Sequence, residues 1–305
     1  MPGPLLALFG PTGVGKTAVA LALAEILRGR GEDPVAISAD ALQVYEGLEV
    51  LTGAAAPAER ARLEHRLVSF VPVSSTFSAG EFAALAHQEI DAALAAGRRP
   101  ILVGGTGLYL RAALTDLDLR PPPPPGLRAR LRAELAEQGP QALYARLAAT
   151  APWAAERIEV GDSSRIVRAL ELHELGELRP RDGPSQLWTS EMRVPTVLAG
   201  LTMERSELDR RIESRVDGML GSGARREVER AAPVASATAR KALGFEHLLA
   251  GDVDAMKRDT RRYARRQLTW MRKLSGVRLI DVTGRPPQDV AREILAGAAA
   301  RVRPP

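Results

Sequence analysis

The chain has 305 residues, 45% of them apolar and 26% charged, with no cysteine and a formal net charge of +5 at neutral pH. That length supports one or two globular domains with a sizeable core, and the missing cysteine excludes disulfides, iron–sulfur clusters, thiolate zinc sites and a thiol nucleophile. Four scattered histidines (His65, His87, His173, His247) argue against a transition-metal centre, and no apolar run approaches the roughly 18 residues of a membrane span.

Leu5–Phe9 is an apolar run without a basic n-region, so it predicts a buried first strand rather than a signal peptide, in a soluble cytoplasmic protein. "GPTGVGKT" follows, fitting G-x-x-x-x-G-K-[ST] between a predicted strand and a helix from about Lys16 to Arg28. The backbone of Gly10, Pro11, Thr12, Gly13, Val14 and Gly15 is expected to cradle phosphates at the helix N-terminus. Lys16 adds a point charge and Thr17 a hydroxyl for Mg²⁺. This specifies phosphate and metal; nothing in the loop reads a nucleobase.

"DPVAISAD" predicts a strand that delivers Asp40 to the same mouth, since ligands sit outside the carboxyl ends of parallel strands. Asp40 is either a magnesium ligand or a general base. Ser78 is a plausible N-cap for a helix to about Ala96, Gly97 its stop, and Pro100–Val103 the next strand. That strand ends in Gly104, Gly105 and Thr106 with no acid, which weakens a motor-ATPase reading. Thr106 offers a hydroxyl to a phosphate or bridging oxygen, or simply caps a tight turn. The alternation of strands and helices predicts an α/β fold, a P-loop NTPase-like parallel sheet with helices on both faces.

Five consecutive prolines, Pro121–Pro125, predict an extended spacer. Beyond them the pattern is helical without a convincing strand, and "PTVLAGL" and "VRLIDVT" return to strand character. The expected organisation is a first part of the core over residues 1–115, an all-helical insertion domain over 116–193, and a return to the core over 194–305. Lys257 to Lys273 carries eight basic residues against one acid, Asp259. Such a face suits a polyanion, or is a solvated helix face.

The segments "GPTGVGKT", "SADALQVYEGLEV", "AGEF", "ILVGGTGLYLRAAL", "DSSRIVRALELHELG", "LDRRIESRVDGML" and "TRRYARRQLTWMRK" together resemble the tRNA dimethylallyltransferase (tRNA isopentenyltransferase) family. The likeness covers most of residues 5 to 275. It implies transfer of a five-carbon prenyl group from dimethylallyl diphosphate to N6 of an adenosine next to the anticodon. The helical insertion is implied to grip the anticodon stem-loop of tRNA. Lys16, Thr17 and Mg²⁺ would neutralise the leaving diphosphate, Asp40 would take the amine proton, and Thr106 would orient the bridging oxygen. At least one of Arg211 and Arg215, which share a helix face, is implied to reach the diphosphate. Asp40, Ala41, Leu42 and Gln43 would meet the substrate bases, with Gln43 suited to an adenine edge. Arg165 and Arg168, and the pairs Arg261/Arg265 and Arg262/Arg266, would meet tRNA phosphates. Tyr263 and Trp270 either stack on a base or pack in the core.

Two departures stand out: "LTGAAAP" lacks the lysine of the family's Gly-Thr-Ala-Lys-Pro run, and "EHRL" keeps one histidine of a His-His pair. The absent cysteines fit a bacterial-type enzyme without the zinc extension of eukaryotic relatives, and a monomer is expected. Three rival functions share some of these motifs: a P-loop small-molecule kinase or NTPase, an isopentenyltransferase acting on free adenine nucleotides, and a nucleotide-gated RNA-binding module.

Overall fold

The computed structural model describes residues 3–120, 122–180 and 186–302. They divide into two compact units, one formed by Met1–Leu117 with Gln186–Pro305 and the other by Asp118–Ser185.

The first unit is an α/β layer structure. Its strands are β1 (Leu5–Phe9), β2 (Pro34–Ser38), β3 (His65–Arg66), β4 (Arg99–Gly104), β5 (Thr196–Thr202) and β6 (Arg278–Asp281). They form one parallel sheet in the order β3-β2-β4-β1-β5-β6. The central register sets Leu6 opposite both Ile101 and Val197. Continuous Leu/Ile/Val runs suit these strands because both faces are covered. Between β1 and β2 the chain skips the slot that β4 later fills. This leaves a crevice at the carboxyl ends of β1 and β4, where ligands of such sheets bind.

The first half supplies α1 (Lys16–Arg28), α2 (Glu49–Thr52), α3 (Pro57–Arg62), α4 (Ala79–Ala95) and α5 (Gly107–Leu114). Ser78 caps α4 as expected: its hydroxyl accepts from the Glu81 N–H, and the Glu81 carboxylate accepts from the Ser78 N–H. Gly97 follows with φ +71°.

The second unit holds α6 (Pro125–Thr150), α7 (Pro152–Ala155) and α8 (Ser163–Glu174), with no strand among its described residues. Pro125 is the first residue of α6 rather than part of a spacer, because a helix start needs no N–H from its first residue. Pro121 lies outside the described residues. Gly139, at φ 79° and ψ 169°, breaks α6 before Pro140. Leu131, Leu143, Leu147, Ile166 and Leu170 form a small core of their own. Buried Glu171 receives a two-pronged bond from Arg128 at 2.6 and 2.8 Å and a third from Arg168 at 3.1 Å.

The chain returns to the first unit at Gln186, earlier than residue 194. Arg193 N–H bonds to Leu114 O, and the Trp188 ring lies 4.7 Å from that of Trp270. The remaining helices are α9 (Arg205–Gly221), α10 (Ala224–Ala231), α11 (Phe245–Ala250), α12 (Val253–Arg272) and α13 (Pro287–Val302). The basic helix α12 is therefore not the last element. After it, β6 adds an edge to the sheet and α13 packs on α1, with Val290, Ile294 and Leu295 buried in the same core as Leu23 and Leu27. Weak periodicity in "QDVAREILAGAAA" hid that helix.

Candidate active site

At the sheet crevice lies a cavity of about 630 Å³. One wall is the loop between β1 and α1. Gly13 and Gly15 adopt φ of +83° and +98°, which any side chain would strain. Gly15 caps α1 with no side-chain acceptor, so the first-turn N–H groups stay available to an anion. Lys16 Nζ donates to Gly10 O and Pro11 O, both at 2.9 Å. Burial pushes the Lys16 ammonium down to about 8, with nearby Arg215 adding to the shift and Asp40 opposing it.

Thr12, Gly13, Gly15, Lys16, Thr17, Arg211 and Arg215 all border the cavity. Gly10, Pro11 and Val14 lie behind the rim, the first two serving through their carbonyls. The two arginines of α9 differ. Arg211 is exposed and paired with Glu207 at 2.8 Å. Arg215 points inward, donates to Gly53 O at 3.4 Å, leaves its Nε without a partner and forms no ion pair among the described residues. Burial lowers its pKa, against the pull of Asp40. A desolvated guanidinium with no carboxylate at ion-pair distance is prepared for an incoming anion.

Asp40 faces this cationic wall, its Oδ1 accepting from Leu42 N–H at 3.0 Å. With Thr17 it is the donor set open to a metal. Among the described residues no three His, Cys, Asp or Glu gather into a cluster. One carboxylate and one hydroxyl fit Mg²⁺, which takes few protein ligands and completes its shell with phosphate oxygens and water.

Thr106 stands at the N-cap of α5 but does not cap it; its Oγ1 instead accepts from Ala41 N–H at 3.2 Å. The turn thereby locks the Asp40 segment in place, although Thr106 itself does not line the cavity. Gln43 does line it, yet both ends of its amide are engaged. Ser38 Oγ donates to its Oε1 at 3.2 Å, and its Nε2 donates to Gly53 O at 3.2 Å. Reading a base edge would require exchanging those bonds.

The far wall is apolar: Leu42, Val50, Leu51, Val216, Met219, Leu243 and Met256. Leu51 and Val50 are held by Glu227, whose carboxylate accepts their N–H groups at 2.9 Å each. Motif reading named Leu42 and Tyr263 but missed the rest of this wall, along with Thr260 and Gln267 of α12. The signal was present, since Met256, Thr260, Tyr263 and Gln267 recur at helical spacing on a helix otherwise basic. Burial and the charge of Asp40 raise the Tyr263 phenol, which bonds to Thr106.

The basic residues of α12 divide. Arg261 pairs with Glu213 and Lys257 with Asp217, tying α12 to α9. Arg262 is exposed beside Asp259. Arg265 is also exposed, and Arg266 lies 5.5 Å over the Tyr263 ring. Neither forms an ion pair among the described residues. In the helical unit Arg165 is exposed, whereas Arg168 serves Glu171. Trp270 is half-buried, its ring 6.4 Å from that of Phe9 and against Gly107, where a Cβ would meet it at 2.1 Å.

Residues 43–274 match the family model for IPP transferase. The chain belongs to the IPP transferase family. A tRNA dimethylallyltransferase of Thermobifida fusca is 43% identical, covering 88% of this chain and 87% of the relative. One from Kineococcus radiotolerans is 40% identical over 96% and 95%. The crystal structure of a tRNA isopentenylpyrophosphate transferase from Bacillus halodurans matches with a TM-score of 0.69 at 32% identity, over 98% and 97%. Among the described residues of this IPP transferase family member, no helix is long and apolar enough to cross a membrane.

Proposed function

We propose that the protein transfers a dimethylallyl group from dimethylallyl diphosphate to N6 of an adenosine next to the anticodon in tRNA, releasing diphosphate. One observation carries this: a single cavity joins a cationic phosphate cradle, the carboxylates of Asp40 and Glu59, and an apolar wall. A kinase or NTPase has no use for the apolar wall, and a five-carbon tail does.

The diphosphate is bound by the loop N–H groups, Lys16, Arg215 and, at the rim, Arg211. Thr17 and Asp40 would hold Mg²⁺, which supplies positive charge to the departing diphosphate. As the bond from the allylic carbon to the bridging oxygen breaks, its electron pair leaves with the diphosphate, where Lys16 and Arg215 stabilise it. The N6 nitrogen forms the new bond to that carbon, and its proton passes to the Asp40 carboxylate. Thr106 acts from behind the cavity: its hydroxyl accepts from Ala41 N–H and so holds the Asp40 segment in position. The acceptor base must leave its stack to reach this depth.

Arg262, Arg265 and Arg266, with exposed Arg165, take phosphates of the anticodon stem-loop. Arg168 is committed to Glu171 and contributes packing. The protein acts as a cytoplasmic monomer.

The test is incubation with Mg²⁺, labelled dimethylallyl diphosphate and either an anticodon stem-loop or AMP. Label is expected in the stem-loop with no ATP requirement. Label only in AMP, or ATP turnover alone in a parallel assay, would sink the reading.

A further inference from the structure

We propose that Gln267 is a positioning residue that couples donor binding to engagement of the acceptor RNA by α12. The inference rests on the function proposed above.

Gln267 is 4% exposed and reaches out of α12 with both ends of its amide. Its Oε1 accepts from Thr12 N–H at 2.9 Å, and its Nε2 donates to Gly105 O at 2.8 Å. One side chain thus fixes the spacing between the phosphate loop after β1 and the turn after β4. Those two backbone groups have opposite polarity, so the site needs a donor and an acceptor on one group. An amide provides both; an ionised carboxylate has no donor, and an apolar side chain leaves both groups unpaired. Gly105 is fitted to the same contact, since a Cβ there would fall 2.3 Å from Gln267 Nε2 and 3.4 Å from Lys16 Nζ.

The helix that carries Gln267 also presents Arg262, Arg265 and Arg266 outward and Tyr263 into the cavity. A load placed on those arginines by RNA phosphates moves or steadies α12 as a rod. Gln267 passes that constraint to Thr12 and Gly105, which flank Lys16. RNA that steadies α12 in this seat lowers the cost of ordering the phosphate cradle, and by linkage bound diphosphate favours RNA binding equally.

The experiment measures binding of inorganic diphosphate with Mg²⁺ to the full chain by calorimetry, with and without a saturating anticodon stem-loop RNA. In the wild type the RNA should tighten diphosphate binding about fivefold or more. In Gln267→Met that factor should fall to within about twofold of none, with the affinity for stem-loop alone little changed. Loss of stability alone does not remove coupling between two ligands in a folded protein. Gly105→Ala, which evicts the amide while leaving Gln267 intact, should lose coupling in the same way and decides the matter if Gln267→Met does not fold. Coupling retained in either folded variant overturns the proposal, as does its absence from a wild type that prenylates the stem-loop. A wild type that modifies only AMP refutes the proposed acceptor instead, which is a separate result.

Discussion

Lys16 offers the sharpest test of the proposed phosphate cradle. Its ammonium, held between Gly10 O and Pro11 O and desolvated, sits at about 8 instead of 10.5. A bound diphosphate stabilises the charged form, so binding draws on the protonated fraction of the free protein. With a value near 8, about nine-tenths of the free protein carries the charge at pH 7 and about one-tenth at pH 9. Diphosphate affinity should therefore drop roughly tenfold over that interval from Lys16 alone, or about 1.4 kcal/mol. The diphosphate itself also titrates there, so the reference is Lys16→Arg, whose guanidinium stays charged throughout. Affinities of both proteins for Mg²⁺-diphosphate, measured by calorimetry from pH 7 to 9, share the ligand's contribution. The wild type should show the extra decline and Lys16→Arg should not, whatever its absolute affinity. Parallel curves would refute the idea that burial has brought Lys16 into this range.

Asp40→Asn should cut kcat for prenyl transfer by about a hundredfold or more while leaving stem-loop binding near wild type, since a proton acceptor is lost and little shape changes; collapse of RNA binding in a gel-shift assay would make Asp40 structural. Arg215→Met should weaken diphosphate binding by about 2 kcal/mol, the scale of a charged hydrogen bond. The same variant should raise the melting temperature of the free protein, because it removes a desolvated cation that has no carboxylate partner; a lower melting temperature would contradict that account. In the helical unit, Glu171→Gln should cost about 2–3 kcal/mol in urea denaturation, a moderate value because Arg128 and Arg168 keep part of their hydration. A cost under about 1 kcal/mol would mean the two arginines find water readily enough to replace it.

Much of this molecule is written locally. "GPTGVGKT" between an apolar run and a helix determines the shape of the loop proposed to hold phosphate, because glycines at positive φ and an uncapped helix start are properties of a few adjacent residues. Ser78 with Glu81, and the run of β-formers before Asp40, are equally local. The same holds for the strand ends that carry Asp40 and Thr106, since parallel topology sends both to one edge. Tertiary structure alone decided the rest. Arg211 and Arg215 are equivalent on a helical wheel, and only the packing of α9 turns one outward to Glu207 and the other inward to Gly53. Gln43 has the chemistry to read a base, but a backbone carbonyl ten residues along the chain has taken its amide. The resemblance points Arg168 toward tRNA, and only the fold gives it Glu171 as a partner. Gln267 bonds a residue 255 positions away and another 162 away, and no spacing rule reaches that far. A residue's type states which bonds it can form; which it does form depends on partners that only the folded chain brings within 3 Å.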